Sequence, residues 1–235
     1  MLEIQKLEAG YGELQVLRGI DLRVKIGEIV ALIGPNGAGK STVLKSIFSI
    51  TNKTSGRIVF HKHDITDLKT HELIAEGISY VPQGRINFST LTIQENLEIG
   101  GVLLRSRPLL EERIENVYGL FPFLKARTND LAQTLSGGQQ QLLAIARALV
   151  QEPKLLLLDE PSLGLSPIAM KEVFSHIQKL RDEEDISILM VEQNAKKAIE
   201  IADRTYLLED GKVILEGGKE IIKKPIIKHV YLGGR

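Results

Sequence analysis

Residues 34–41 read Gly34-Pro35-Asn36-Gly37-Ala38-Gly39-Lys40-Ser41, the spacing G-x-x-x-x-G-K-S/T. Glycines at this spacing let backbone N–H groups turn inward around an anion. A helix opening at Lys40 adds partial positive charge. Lys40 is placed to reach the β- and γ-phosphates of a nucleotide, Ser41 to put its hydroxyl on Mg²⁺, and Thr42 to touch the α-phosphate. A glycine-rich turn with no ligand is the plain alternative. The buried run Glu28–Ile33 before the motif and the helical stretch from about Lys40 to Ile50 after it favour the cradle.

A nucleotide site also needs an acid for the metal. Leu155–Leu158 is a run of four leucines, which reads as a strand buried on both faces, and it ends in Asp159-Glu160. Asp159 is expected to hold Mg²⁺ through water, and Glu160 to orient or deprotonate an attacking water. A core strand followed by two surface acids is the alternative, and the cradle in the same chain weighs against it.

Leu135-Ser136-Gly137-Gly138-Gln139 opens a second informative helix, with Leu142, Ile145, Ala146 and Leu149 on its apolar face. Ser136 is a good N-cap, and Gly137 and Gly138 expose N–H groups at the helix start, which makes a second anion site. One nucleotide does not easily need both sites in one small domain. Two chains arranged head to tail resolve this, each lending its second site to the other's γ-phosphate. A plain capped helix is the alternative. As for the base, Asn52-Lys53-Thr54-Ser55 lacks the final aspartate of a guanine-reading Asn-Lys-x-Asp and lies too near the cradle. Tyr11 sits between Gly10 and Gly12 on a turn where its ring can stack on adenine. A surface tyrosine fits that position equally well.

The elements that must position these groups form an α/β chain. Leu2–Ala9 and Val16–Lys25 alternate as antiparallel strands. Glu28–Ile33, Gly56–Phe60 and Ile78–Val81 follow as strands, the last ended by Pro82. Residues 84–150 change character: leucine, glutamate and arginine dominate, with helical spacing in Ile93–Ile99 and Leu109–Phe121. After Pro153 the parallel pattern returns as strand 155–158, helix Ile168–Glu183, strand Ser187–Val191 and helix Ala195–Ala202. Thr205–Glu209 and Lys212–Glu216 form a hairpin over Asp210-Gly211, a type I′ turn. The expected organisation is one domain, 1–235. Within it, 1–83 and 151–235 build an ATP-binding core with a β subdomain, and 84–150 is an inserted helical subdomain.

Composition narrows the function. Thirty Lys and Arg balance thirty Asp and Glu, so bulk nucleic-acid binding is disfavoured. The absence of cysteine excludes disulfides, thiolate zinc and a cysteine nucleophile. Aromatic residues are 5% and tryptophan is absent, which weakens a carbohydrate-cleft or base-stacking reading. No apolar run approaches the ~20 residues of a membrane span, and no signal peptide is visible.

Together these motifs resemble the ABC-type ATPases, the nucleotide-binding subunits of ABC transporters, over essentially the whole chain. The resemblance implies a P-loop NTPase core with an N-terminal antiparallel β subdomain and an inserted helical subdomain. Tyr11 and Val16 would then contact adenine. Residues 34–42 would bind the phosphates of ATP. Gln83 would touch Mg²⁺ and relay to a membrane permease. Ser136, Gly137, Gly138 and Gln139 would contact the γ-phosphate in trans, and Lys40, Glu160 and the switch position Gln193 would carry catalysis. Two departures stand out. The family switch is usually histidine, whereas here it is Gln193, which donates a hydrogen bond but carries no titrating proton. The loop after Glu160 has Ser166 where aspartate is common.

Both departures, with Val81-Pro82-Gln83-Gly84-Arg85 and Tyr231-Leu232-Gly233-Gly234, resemble the branched-chain amino-acid importer ATPases. That implies integral-membrane permease subunits, a second ATPase subunit (identical or different) and, indirectly, a substrate-binding protein. It also implies a cytoplasmic place, peripheral on the inner face of the membrane. Other readings are the motor of a lipopolysaccharide or other exporter, a soluble ABC-type ATPase for DNA repair or chromosome structure, a translation-associated ABC protein, and a regulatory module that no longer hydrolyses. The second wants coiled-coil insertions and a basic surface, the third wants two cassettes, and intact Lys40, Asp159 and Glu160 count against the fourth.

Overall fold

The computed structural model describes residues 1–84, 87–225 and 227. Arg85 and the Tyr231–Gly234 segment, part of the importer resemblance, lie outside the described residues. The strands are β1 (Leu2–Tyr11), β2 (Leu14–Val24), β3 (Ile29–Ile33), β4 (Asn52–Phe60), β5 (His63–Asp64), β6 (Ile78–Val81), β7 (Leu155–Asp159), β8 (Ser187–Val191), β9 (Arg204–Glu209) and β10 (Lys212–Gly217). The α-helices are α1 (Lys40–Ile47), α2 (Thr70–Ala75), α3 (Ile93–Gly100), α4 (Arg107–Leu120), α5 (Pro122–Lys125), α6 (Gly137–Leu149), α7 (Pro167–Glu184) and α8 (Ala195–Ile201).

Two sheets form. One is antiparallel, in the order β2-β1-β4-β5. The other runs β10-β9-β3-β8-β7-β6, parallel except for β10 at its edge. Alternation along the central strands divides the core in two. Ile29, Ala31 and Ile33 of β3, Leu156 and Leu158 of β7, and Ile188 and Met190 of β8 pack with α6, α7 and α8. Val30, Leu32, Leu155, Leu157, Leu189 and Val191 face the other way, against α1 and the antiparallel sheet. Both faces of the parallel strands are therefore covered, which is why they read as continuous apolar runs.

The expected elements are present, with shifts at several ends. Helix α1 stops at Ile47, three residues before the expected end. Strand β4 begins at Asn52, because Asn52 and Lys53 pair with Gly10 and Ala9 of β1. Polar residues without alternation carry no strand signal, and here a neighbouring edge recruits them. Tyr11, expected on a turn, is the last residue of β1. Strand β5 and helix α2 went unread, being two and six residues long. Asp210 (φ 47°) and Gly211 (φ 74°) have the two positive φ values of the expected type I′ turn. Between β6 and β7 the described elements are helical, with one short 3₁₀ turn at Ala132–Thr134.

Candidate active site

The cradle hangs between the end of β3 and the start of α1. Gly37 (φ 83°) and Gly39 (φ 98°) adopt left-handed backbone that side chains resist. Gly34 is required for a different reason: a Cβ there would stand 2.3 Å from the Leu208 carbonyl oxygen. Helix α1 has no side-chain cap and no acid in its first turn, so its N–H groups have no competing carboxylate of their own. The Lys40 ammonium donates to the Gly34 carbonyl at 2.8 Å and the Pro35 carbonyl at 3.1 Å, bridging the loop. Burial lowers its pKa, while Glu160 and Asp159 oppose that fall. Thr42, next along, is buried, and its carbonyl accepts from the Ser46 hydroxyl at 2.7 Å.

Asp159 ends β7, buried, and both of its oxygens are engaged. The Ser41 hydroxyl donates to Oδ1 at 2.7 Å and the Tyr80 hydroxyl to Oδ2 at 3.0 Å. Ser41 and Asp159, both expected at the metal, are thus brought into contact. Tyr80 of β6 was missed. An aromatic residue in a strand reads as packing, and only the pairing of β6 with β7 sets its hydroxyl beside Asp159.

Glu160 follows with φ 50°, a strained conformation for a glutamate. Its N–H donates to the Val191 carbonyl at 2.9 Å. Its carboxylate accepts from Gln83 Nε2 at 2.9 Å and from Gln193 Nε2 at 3.1 and 3.2 Å. Three residues from distant parts of the chain thus meet at one carboxylate. The neighbouring side chains of Glu192 and Gln193 turn to different partners. While Gln193 turns to Glu160, Glu192 turns to Ser162, where its carboxylate accepts the backbone N–H at 3.0 Å and the hydroxyl at 2.8 Å. Burial pushes the Glu192 carboxyl up to about 7, with Glu160 adding to the rise and the Ser162 bonds opposing it.

Val16 lies against the cradle, its Cγ1 3.3 Å from where a Cβ on Gly39 would stand. Tyr11 is 41% exposed at the end of β1, open to a ring-stacking partner. Ser136 caps α6 in a reciprocal box with Gln139, whose side chain accepts from the Ser136 N–H at 3.1 Å. Gly138 has a packing role the sequence did not announce: a Cβ there would stand 2.9 Å from Ala169 Cβ on α7. Among the described residues no hydrogen bond joins residues 136–139 to residues 34–42.

Of two further cavities, one lies away from this chemistry and the other borders it. One of about 790 Å³, lined in part by His61, Arg113, Leu120, Lys154 and Asp185, opens at the starts of β7 and β8, the opposite edge of the sheet. A cleft of about 310 Å³ beside Tyr80 is lined in part by Phe48, Phe88, Val102, Leu103 and Arg147. The Arg147 guanidinium sits 5.3 Å above the Phe88 ring.

The family pattern described as "ABC transporter" matches residues 17–163. The chain is 43% identical over 235 residues to the high-affinity branched-chain amino acid transport ATP-binding protein BraG of Pseudomonas aeruginosa, covering 100% of both. It is 43% identical over 234 residues to a probable branched-chain amino acid transport ATP-binding protein, LivF, of Archaeoglobus fulgidus, covering 99% of both. Identity to the lipopolysaccharide export system ATP-binding protein LptB of Acidithiobacillus ferridurans is lower, 34% over 238 residues, covering 99% of this chain and 97% of that one. Among solved structures, the ADP conformation of the ATP-binding cassette MJ1267 superposes with TM-score 0.89 at 28% identity, covering 100% of this chain and 99% of that one. A dimeric post-hydrolysis state of the cassette MJ0796, bound to ADP and Pi, matches with TM-score 0.79 at 28% identity, covering 93% and 99%.

Proposed function

The chain belongs to the ABC transporter family of nucleotide-binding ATPases, and on that premise we propose that it is the motor of an importer for branched-chain amino acids. The observation that carries the hydrolytic reading is the meeting of Gln83 and Gln193 on the Glu160 carboxylate, next to the Ser41–Asp159 pair at the mouth of the cradle. The full-length likeness to BraG and LivF supports the substrate class.

In this reading residues 34–42 bind the phosphates of ATP, with Lys40 leaving its two loop carbonyls for phosphate oxygens. Mg²⁺ fits the donors present. Ser41, Asp159 and Gln83 offer oxygen, the ligand type Mg²⁺ takes, and a phosphate-bound Mg²⁺ needs only one or two protein ligands. That accords with the lack, among the described residues, of any group of three His, Cys, Asp or Glu able to hold a metal. When bound, the ion neutralises charge on the phosphates. Glu160 accepts the proton of the attacking water, and Gln193 holds Glu160 and donates toward the γ-phosphate. Tyr11 and Val16 flank the adenine. Ser136, Gly137, Gly138 and Gln139 complete the site of a second ATPase subunit, which agrees with their having no hydrogen bond to their own chain's cradle. Two chains thus enclose two nucleotides, and the dimeric relative supports this arrangement.

No helix among the described residues is long and apolar enough to cross a membrane; in this reading the motor acts on a separate permease. The cleft beside Tyr80 suits a permease segment, since Val102 is 76% exposed and Phe88 45% exposed at its rim. This placement puts the chain on the cytoplasmic face, with a substrate-binding protein engaged only through the permease. The test is isolation of the native complex, identification of its permease, and reconstitution in vesicles. Uptake of labelled leucine that needs internal ATP and is lost in Glu160→Gln is expected. The likeness to LptB makes an exporter the second reading, and recovery of a lipopolysaccharide-export permease would establish it instead.

A further inference from the structure

Two consecutive residues after β8 hold both residues that flank Pro161. Gln193 grips the side chain of Glu160, and Glu192 grips the backbone and hydroxyl of Ser162. Pro161 has no N–H of its own to offer. Glu160 sits at φ 50°, and a glutamate remains there only where its surroundings over-determine it. We propose that Glu192 is a positioning residue for hydrolysis: its carboxyl latches Ser162 and so fixes the Glu160-Pro161-Ser162 turn with the Glu160 carboxylate aimed where Gln83 and Gln193 meet.

Burial makes the latch more than a surface contact. Glu192 is 1% exposed and Ser162 4% exposed. A buried carboxyl is costly, and an apolar side chain of similar size would stabilise the fold at least as well. What an apolar residue cannot do is hold two donors of one serine in fixed directions. The polar groups around the latch come from several elements. The turn supplies Glu160 and Ser162, β3 supplies the Leu32 carbonyl that accepts the Glu192 N–H at 3.1 Å, and the chain beyond β8 supplies the Asn194 N–H. Lys40 on α1 faces Glu160 in turn. A cavity of about 180 Å³ between Glu160, Ser162, Leu163, Glu192 and Gln193 leaves the turn room to move if the latch is cut.

A glutamine at this position can keep the geometry, its oxygen accepting the Ser162 N–H and its amide donating to the Ser162 oxygen. An alanine cannot. The proposal rests on Glu160 as the water-activating residue, and the experiment separates the two claims. Steady-state ATPase is measured for the wild type, Glu192→Ala, Glu192→Gln, Ser162→Ala, the double alanine variant and Glu160→Gln, with thermal melts of each. Glu192→Ala should lower kcat about tenfold or more with the KM for ATP within about twofold, because the lost constraint acts on the reacting water and not on nucleotide binding. Glu192→Gln should stay within about threefold of wild type, Ser162→Ala should fall measurably below it, and the double variant should be no worse than Glu192→Ala, since both cut one latch. Wild-type kcat in Glu192→Ala or in Ser162→Ala overturns the proposal. So does a Glu192→Gln that folds normally and is as slow as alanine. If Glu192→Ala does not fold, Ser162→Ala and Glu192→Gln still decide. Wild-type turnover in Glu160→Gln overturns the reading of the site itself, whereas an inactive Glu160→Gln beside an active Glu192→Ala removes only the latch.

Discussion

The Tyr80 hydroxyl donates to Asp159 Oδ2 at 3.0 Å while the Tyr80 ring packs tilted on Phe48, 5.4 Å between centroids, in the wall of the exposed cleft. One side chain therefore touches both the carboxylate proposed to serve the metal and the surface proposed to receive the permease. Burial and the nearby Asp159 push its hydroxyl pKa up, so it stays a protonated donor.

Tyr80→Phe keeps the ring and removes only that donor. A hydrogen bond to a charged group contributes about 1.5–3 kcal/mol, so the Asp159 carboxylate loses part of its orientation. The expected result is a Mg²⁺ concentration for half-maximal ATPase raised several-fold, with the fold intact. A Mg²⁺ titration identical to wild type would remove Tyr80 from this role.

Gln193 holds the Glu160 carboxylate with its amide. Gln193→Ala is expected to lower the hydrolysis rate with little change in ATP affinity, since it removes a contact to the reacting groups. Gln193→Glu should be slower still, because it sets a second carboxylate against Glu160 and the γ-phosphate. Gln193→His should retain activity and introduce a pH dependence near neutrality. ATPase rate against pH for the three variants checks the set.

Ser136→Arg tests the shared site. Ser136 is exposed at the start of α6 and makes no hydrogen bond to the cradle of its own chain among the described residues. ATP binding by the single chain should survive, while ATP-driven dimerisation and hydrolysis are abolished. Loss of the N-cap costs about 1 kcal/mol of stability, which a melt will register without unfolding the protein. Loss of ATP binding by the monomer would instead place Ser136 in the same chain's site.

Stability should depend on pH through Glu192. Its carboxyl ordinarily titrates at 4.5 and is pushed up to about 7 in the fold. Between those values the folded state keeps a proton that the unfolded chain has released. The group's contribution is therefore fully present below pH 4.5 and is lost as pH rises through 7. Glu192→Gln abolishes that loss. Its unfolding free energy should exceed the wild-type value by an amount that grows from pH 4.5 to 8 by about 3 kcal/mol. Denaturant melts at several pH values measure the difference, and a constant offset would contradict it.

What could be read from the residues is what local physics governs. The cradle was legible because glycine backbone and a helix start are properties of a few consecutive residues. The central strands were legible because burial on both faces leaves unbroken apolar runs. Asp159, Glu160 and Gln193 were legible because each lies at or just past the end of such a strand. The Ser41–Asp159 contact itself joins positions 118 residues apart.

The amino-acid sequence thus determined by itself a glycine-rich turn ahead of a helix, an acid at the end of a buried strand, a second helix-start motif and a parallel core, since each is written in short-range pattern. Only the tertiary structure decided that β3 lies between β8 and β9, that β6 borders β7, and that β4 takes in the polar run from Asn52. The pairing of β6 with β7 sets Tyr80 on Asp159, and the pairing of β7 with β8 sets Glu192 on Ser162. The reason is physical: a strand's own residues specify which faces are buried, but which strand lies at its edge depends on how the whole set of faces packs together.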